Sequence, residues 1–150
     1  MRSCIFRSIL LGSSPLTMPN SQRRNPATVL LVDDNDSMRT VLTELLTRKG
    51  YRTFEAASPE RALHLVKQFG NELDVLVTDI VMPGMNGFEL SKRVRRLCPK
   101  IGIIHMSVYG VGETPDPQSG SDVVLSKPIP INVLVEALEK VLRRDPTQAE

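Results

Sequence analysis

The chain contains no tryptophan, and aromatic residues make up only 4% of its 150 residues. So few rings leave little material for stacking bases, which argues against a single-stranded nucleic-acid binder. There are two cysteines, Cys4 and Cys98. That number excludes a disulfide-stapled scaffold and fits a reducing, cytoplasmic setting. Their spacing suits neither a metal site nor a redox pair. No apolar run approaches the ~18 residues needed to cross a bilayer, so no membrane role is expected. Acidic residues are absent from positions 1–26, which hold Arg2, Arg7, Arg23 and Arg24. The net charge of +2 therefore leaves residues 27–150 with 15 basic against 17 acidic side chains. A folded part with that balance is not a dedicated nucleic-acid binder.

What is present suffices for one packed domain, with 41% hydrophobic and 24% charged residues. The opening MRSCIFRSILLGSSPLTMPNSQRRNP has too short an apolar centre, Ile9 to Leu11, for a signal peptide. A disordered tail is expected over residues 1–26, with Met18 as an alternative initiator, then a domain over 27–144 and a polar tail over 145–150.

From Thr28 onward, nearly all-apolar strands alternate with amphipathic segments, the pattern of a parallel sheet covered on both faces. Strands are predicted at Thr28–Val32, Tyr51–Ala56, Asp74–Thr78, Ile101–Met106 and Val123–Leu125. Helices are predicted at Ser37–Arg48, from Ser58-Pro59 to Phe69, at Phe88–Leu97 and at Ile131–Arg143. The first should turn Met38, Val41, Leu42, Leu45 and Leu46 to one side and stop at Gly50. The second, with a serine cap and first-turn proline, should bury Leu63, Val66 and Phe69. In the last, Val133, Leu134, Ala137, Leu138 and Val141 recur at helical spacing. Between the fourth and fifth strands, VYGVGETPDPQSG carries Pro115 and Pro117 among glycines, so a regular crossover helix is not expected there.

In a doubly wound sheet, ligands bind beyond the carboxyl ends of the strands. Here Asp33-Asp34, Asp79, Ser107 and Lys127-Pro128 follow four of the predicted strands. Each is unremarkable alone, as a turn, a cap or a solvated cation. Together they fit phosphoryl transfer to a carboxylate. Adjacent acids repel one another and call for a hard divalent cation such as Mg2+. The cation would offset charge on an incoming phosphoryl group, Lys127 would hold one of its oxygens, and the Ser107 hydroxyl would add a hydrogen bond.

The segments LLVDDND, LVTDIVMPGMNG, IIHMSVYG and LSKP resemble, in order and spacing, the receiver domain of two-component response regulators, over about Thr28 to Arg144. That resemblance implies a five-stranded flavodoxin-like sheet of order 2-1-3-4-5 with helices on both faces, the fourth crossover helix being degenerate or missing here. It implies Asp79 as phosphoacceptor, Asp34 as direct Mg2+ ligand, Asp33 holding the ion largely through water, and the Val81 backbone carbonyl completing the shell. Ser107 would be the switch hydroxyl, Lys127 the phosphoryl-contacting lysine, and Lys127-Pro128 a cis bond. Expected partners are a sensor histidine kinase or a histidine phosphotransfer protein, plus a downstream protein target, with neither nucleic acid nor membrane contacted. The chain would be a signalling phosphoacceptor that loses its phosphoryl group slowly, rather than an enzyme. With no effector segment in the sequence, a stand-alone receiver is expected, similar to those accompanying hybrid sensor kinases.

Two departures stand out. Val124 occupies the place where many receivers have an aromatic switch residue, and Val108 that of the usual small residue. Phosphorylation is therefore expected to reorder Val108–Ser119, with Tyr109 involved. Rival functions are a binding module that no longer accepts phosphate and an aspartyl-nucleophile phosphatase, which would want an acid where Val81 stands. The basic run Lys92, Arg93, Arg95, Arg96 and Lys100 reads as a solvated face, and His105 as a core residue.

Overall fold

The computed structural model describes residues 26–108 and 123–143. The five strands are β1 (Thr28–Val32), β2 (Arg52–Ala56), β3 (Val75–Asp79), β4 (Gly102–Ser107) and β5 (Val123–Ser126). Among the described residues there are four α-helices: α1 (Asp36–Arg48), α2 (Pro59–Phe69), α3 (Gly87–Leu97) and α4 (Ile131–Leu142). The strands form one parallel sheet in the order β2-β1-β3-β4-β5, as the resemblance implied. The tails expected over 1–26 and 145–150 lie, but for residue 26, outside the described residues. So do residue 144 and the β4–β5 crossover from residue 109 to residue 122, including Tyr109.

The two-residue period of the strands divides the core in two. Val29, Leu31, Val77, Ile104 and Met106 pack against Leu42 and Leu46 of α1 and Leu134, Leu138 and Val141 of α4. Leu30, Val32, Leu76 and Ile103 face the other way, against Ala62, Leu65 and Val66 of α2 and Leu90 and Val94 of α3. Every residue of β1 and β3 is buried, which explains why these central strands read as continuous apolar runs.

Side-chain caps fix where the helices begin. Asn35 accepts from the Met38 amide at 2.9 Å, Ser58 from Arg61 at 3.2 Å and Asn86 from Glu89 at 2.9 Å. Helix α1 stops at Arg48 and is closed by Gly50, whose amide reaches the Thr47 carbonyl at 3.0 Å and whose φ of 95° turns the chain so that the Tyr51 amide reaches back to Leu46 at 3.1 Å.

Two faces differ from expectation. Val41 is 52% exposed, because the line through Leu42 and Leu46 meets the sheet and leaves its neighbour on the flank. In α2 the buried stripe is Ala62, Leu65 and Val66, with Leu63 and Phe69 only half-buried beside it. The small Ala62 occupies the fully buried position, and the Phe69 ring instead meets Phe54 edge-on at 5.0 Å. Among the described residues, no helix is long and apolar enough to cross a membrane.

Replacing Gly50 with alanine forces a Cβ into the left-handed region at a cost of about 1–2 kcal/mol. Nothing lies within 4 Å of that Cβ, so the loss is one of backbone strain alone. Urea unfolding of Gly50→Ala should show a lower midpoint with an unchanged slope.

Candidate functional site

Four strands deliver polar groups to one rim. Asp33 and Asp34 follow directly on β1, Asp79 is the last residue of β3, Ser107 the last of β4, and Lys127 the first after β5. The Lys127-Pro128 peptide is cis, as the resemblance implied. One carboxylate oxygen from each of Asp33, Asp34 and Asp79 lies within 4.8 Å of the others. Asp33 is fully buried, Asp79 is 7% exposed, and Asp34 is open to solvent. The Lys127 ammonium, itself largely buried, donates to Asp33 Oδ2 at 3.1 Å and stands 3.3 Å from Asp79 Oδ2.

Burial pushes the Asp79 carboxyl above the ordinary carboxylate range. The Lys127 ammonium opposes that shift, while the charges of Asp33 and Asp34 reinforce it. A partly open, destabilised carboxylate at a strand end is what a nucleophilic acid needs. The donor set also fits a hard cation: three carboxylates converge, and among the described residues the Asp33 oxygens accept from the Lys127 ammonium and from the Asn35 amide, the latter at 2.9 Å.

The remaining predicted residues lie around this cluster. Ser107 is buried, and its carbonyl accepts from the Lys127 amide at 2.7 Å, joining the ends of β4 and β5. Val81, two residues past Asp79 on the β3–α3 loop, is 52% exposed. His105 is core, as expected, its ring against Phe88 at 4.5 Å and Nε2 3.3 Å from Ser91 Oγ. Lys92, Arg93, Arg96 and Lys100 are exposed. Burial raises the Cys98 thiol pKa, in keeping with an unreactive residue.

Three contributors escaped the sequence reading. Asn35 both caps α1 and donates its amide to Asp33; an amide side chain just before the helical pattern was a usable signal for the cap. Arg39 donates to the Asp33 carbonyl at 2.7 Å, with only its i,i+3 spacing from Asp36 visible beforehand. Gly87 donates to the Ile80 carbonyl at 2.8 Å, and a Cβ there would strike the Asp79 carbonyl oxygen and come within 2.9 Å of Ile80 Cα. Helix α3 can begin this close to the end of β3 only because residue 87 has no side chain.

Comparison with known proteins gives a consistent result. The family model described as response regulator receiver domain matches residues 29–139. Over 118 residues the chain is 36% identical to the transcriptional regulatory protein AfsQ1 of Streptomyces coelicolor, covering 77% of this chain and 51% of that protein. It is 32% identical over 116 residues to the sporulation initiation phosphotransferase F of Bacillus subtilis, covering 76% of this chain and 92% of the relative. Among solved structures, the receiver domain of the hybrid histidine kinase CckA superposes with a TM-score of 0.66 at 31% identity, over 78% of this chain and 100% of that one. The chain thus spans about half of the first relative and nearly all of the second.

Two outcomes follow from the geometry. Gly87→Ala should cost about 1–3 kcal/mol through overpacking against main chain that cannot yield, read as a lower thermal midpoint. Asp79→Asn should have the opposite sign in metal-free buffer. Because folding raises this acid's pKa, the wild type loses stability as pH climbs from the unfolded carboxylate range through the folded value, and the amide is spared that loss. Differential melts should place the variant a few degrees above wild type at neutral pH, with the gap closing toward about pH 4.

Proposed function

The chain belongs to the response regulator receiver domain family, and from that membership we propose that Asp79 accepts a phosphoryl group from the phosphohistidine of a sensor histidine kinase or histidine phosphotransfer protein. The observation that carries this reading is the Asp79 carboxylate at the end of β3, grouped with Asp33 and Asp34 and 3.3 Å from the Lys127 ammonium.

In the reaction, an Asp79 oxygen attacks phosphorus, the phosphorus–nitrogen bond to the donor imidazole breaks, and the departing ring nitrogen keeps the bond's electron pair. Lys127 offsets charge first on the carboxylate and then on a phosphoryl oxygen. The Ser107 hydroxyl donates to another phosphoryl oxygen. Burial of Asp33 and most of Asp79 keeps water from screening these interactions. Asp33, Asp34, Asp79 and the Val81 carbonyl would hold Mg2+, which would supply positive charge to offset that of the phosphoryl oxygens. We take residues 27–144 as the receiver unit, working in the cytoplasm and passing its state to a protein target by contact.

The phosphatase reading is weaker, since Val81 offers no second acid near the nucleophile. Intact-mass measurement with Mg2+ and a small acyl phosphate separates phosphoacceptor from pure binding module. Wild type should gain one phosphoryl increment that disappears with chelator, and Asp79→Asn should gain none. An equal increment in both, or none in wild type under saturating donor, would overturn the assignment.

A further inference from the structure

Arg39 has no part in the chemistry above, yet its guanidinium is the hub of the segment that carries Asp33 and Asp34. Its Nη1 donates to the Asp33 carbonyl at 2.7 Å, Nη2 to Asp36 Oδ1 at 2.8 Å and Nε to Glu55 Oε1 at 3.2 Å. The side chain is 14% exposed, whereas those of Asp36 and Glu55 are 82% and 38% exposed. One planar fork thus ties the end of β1 to the first turn of α1 and to the neighbouring strand β2. A lysine, with its donors on a single atom, cannot span three such acceptors in that geometry.

Charge does not account for the arrangement. Arg39 with Asp36 and Glu55 sums to one negative charge, so the group sets no net positive field against a cation at the carboxylates. What the contacts do is mechanical. The main chain of Asp33 is fixed by Arg39 through its carbonyl and by β2 through its amide, which donates to Ala56 at 3.2 Å. Its side chain is fixed by the Asn35 amide and Lys127. Asp34, exposed and next in sequence, takes its position from the same stretch of backbone.

We propose that Arg39 is a positioning residue for the divalent-cation site, preorganising Asp33 and Asp34 through the main chain and so raising Mg2+ affinity without touching the ion. The inference rests on the phosphoacceptor reading, in which these two acids are ligands. Groups that orient metal ligands from behind typically account for about 10–100-fold in metal affinity.

The test is the thermal midpoint of wild type, Arg39→Met, Arg39→Lys and Glu55→Met across a Mg2+ titration, which yields an apparent dissociation constant for each. The constant should rise on the order of tenfold in both Arg39 variants and by a smaller factor in Glu55→Met, which has no acceptor for Nε and so removes one arm. A merely structural Arg39 would lower the metal-free midpoints and leave the Mg2+ dependence unchanged, overturning the proposal. An electrostatic Arg39 would make Arg39→Met bind Mg2+ more tightly and Arg39→Lys bind as wild type does, which also overturns it. If the Arg39 variants do not fold, Glu55→Met decides: an unchanged constant is a refutation. A wild type indifferent to Mg2+ would instead sink the metal reading beneath it, whereas a responsive wild type with equally responsive variants sinks only the role of Arg39.

Discussion

Three carboxylates do not gather unaided, and the fold's task at this rim is to hold them together. At the 4.8 Å that bounds the Asp33, Asp34 and Asp79 oxygens, two unit charges at an effective dielectric of ~20 repel by on the order of 3 kcal/mol. Lys127 offsets part of this by reaching both buried acids at 3.1 and 3.3 Å. The rest must come from the frame. Strands β1 and β3, which carry the acids, are the two adjacent central strands buried on both faces. Separating them would expose Val29 to Val32 and Val75 to Val77, at ~25 cal/mol for each Å² of apolar surface. The repulsive cluster is therefore placed where the sheet is least able to yield.

Main-chain hydrogen bonds beyond the sheet ladder extend that rigidity to the rim. The Asp33 amide reaches Ala56, the Ile80 amide reaches Met106, and the Gly87 amide returns to Ile80. Each functional loop is thus tied by its backbone to a neighbouring strand or to itself before any side chain acts. This is the arrangement that electrostatic catalysis requires, since dipoles and charges that are already oriented need no reorganisation when the substrate arrives.

Much of this was legible in the residues, because each legible feature is set by local chemistry. Buried parallel strands leave uninterrupted apolar runs, as in TVLLV, and Ser58-Pro59 and Gly50 mark helix ends through capping and positive φ. The cluster of Asp33, Asp34, Asp79 and Lys127 followed from the rule that chemistry gathers at strand carboxyl ends, with their roles coming from the family resemblance. Features set by distant geometry were not legible. Whether Val41 or Leu42 meets the sheet depends on the rotation of α1, which five apolar positions do not fix. The fit of Gly87 against β3 and the bond from Arg39 to Glu55 join segments whose approach no local pattern encodes.

The same geometry bears on how a change at Asp79 can travel. Strand β5 reads VVLS, with no aromatic ring to swing between two positions, and Val124 is β-branched and stiff at χ1. Its strand partner in register is His105, whose ring is packed against Phe88. Both rings are buried, so neither has an open path to solvent. The ends of β4 and β5 are instead joined directly, the Lys127 amide bonding the Ser107 carbonyl at 2.7 Å. The backbone that carries the Ser107 hydroxyl is thus bonded directly to the backbone that carries the lysine, and the link between these two strand ends is main chain rather than a ring.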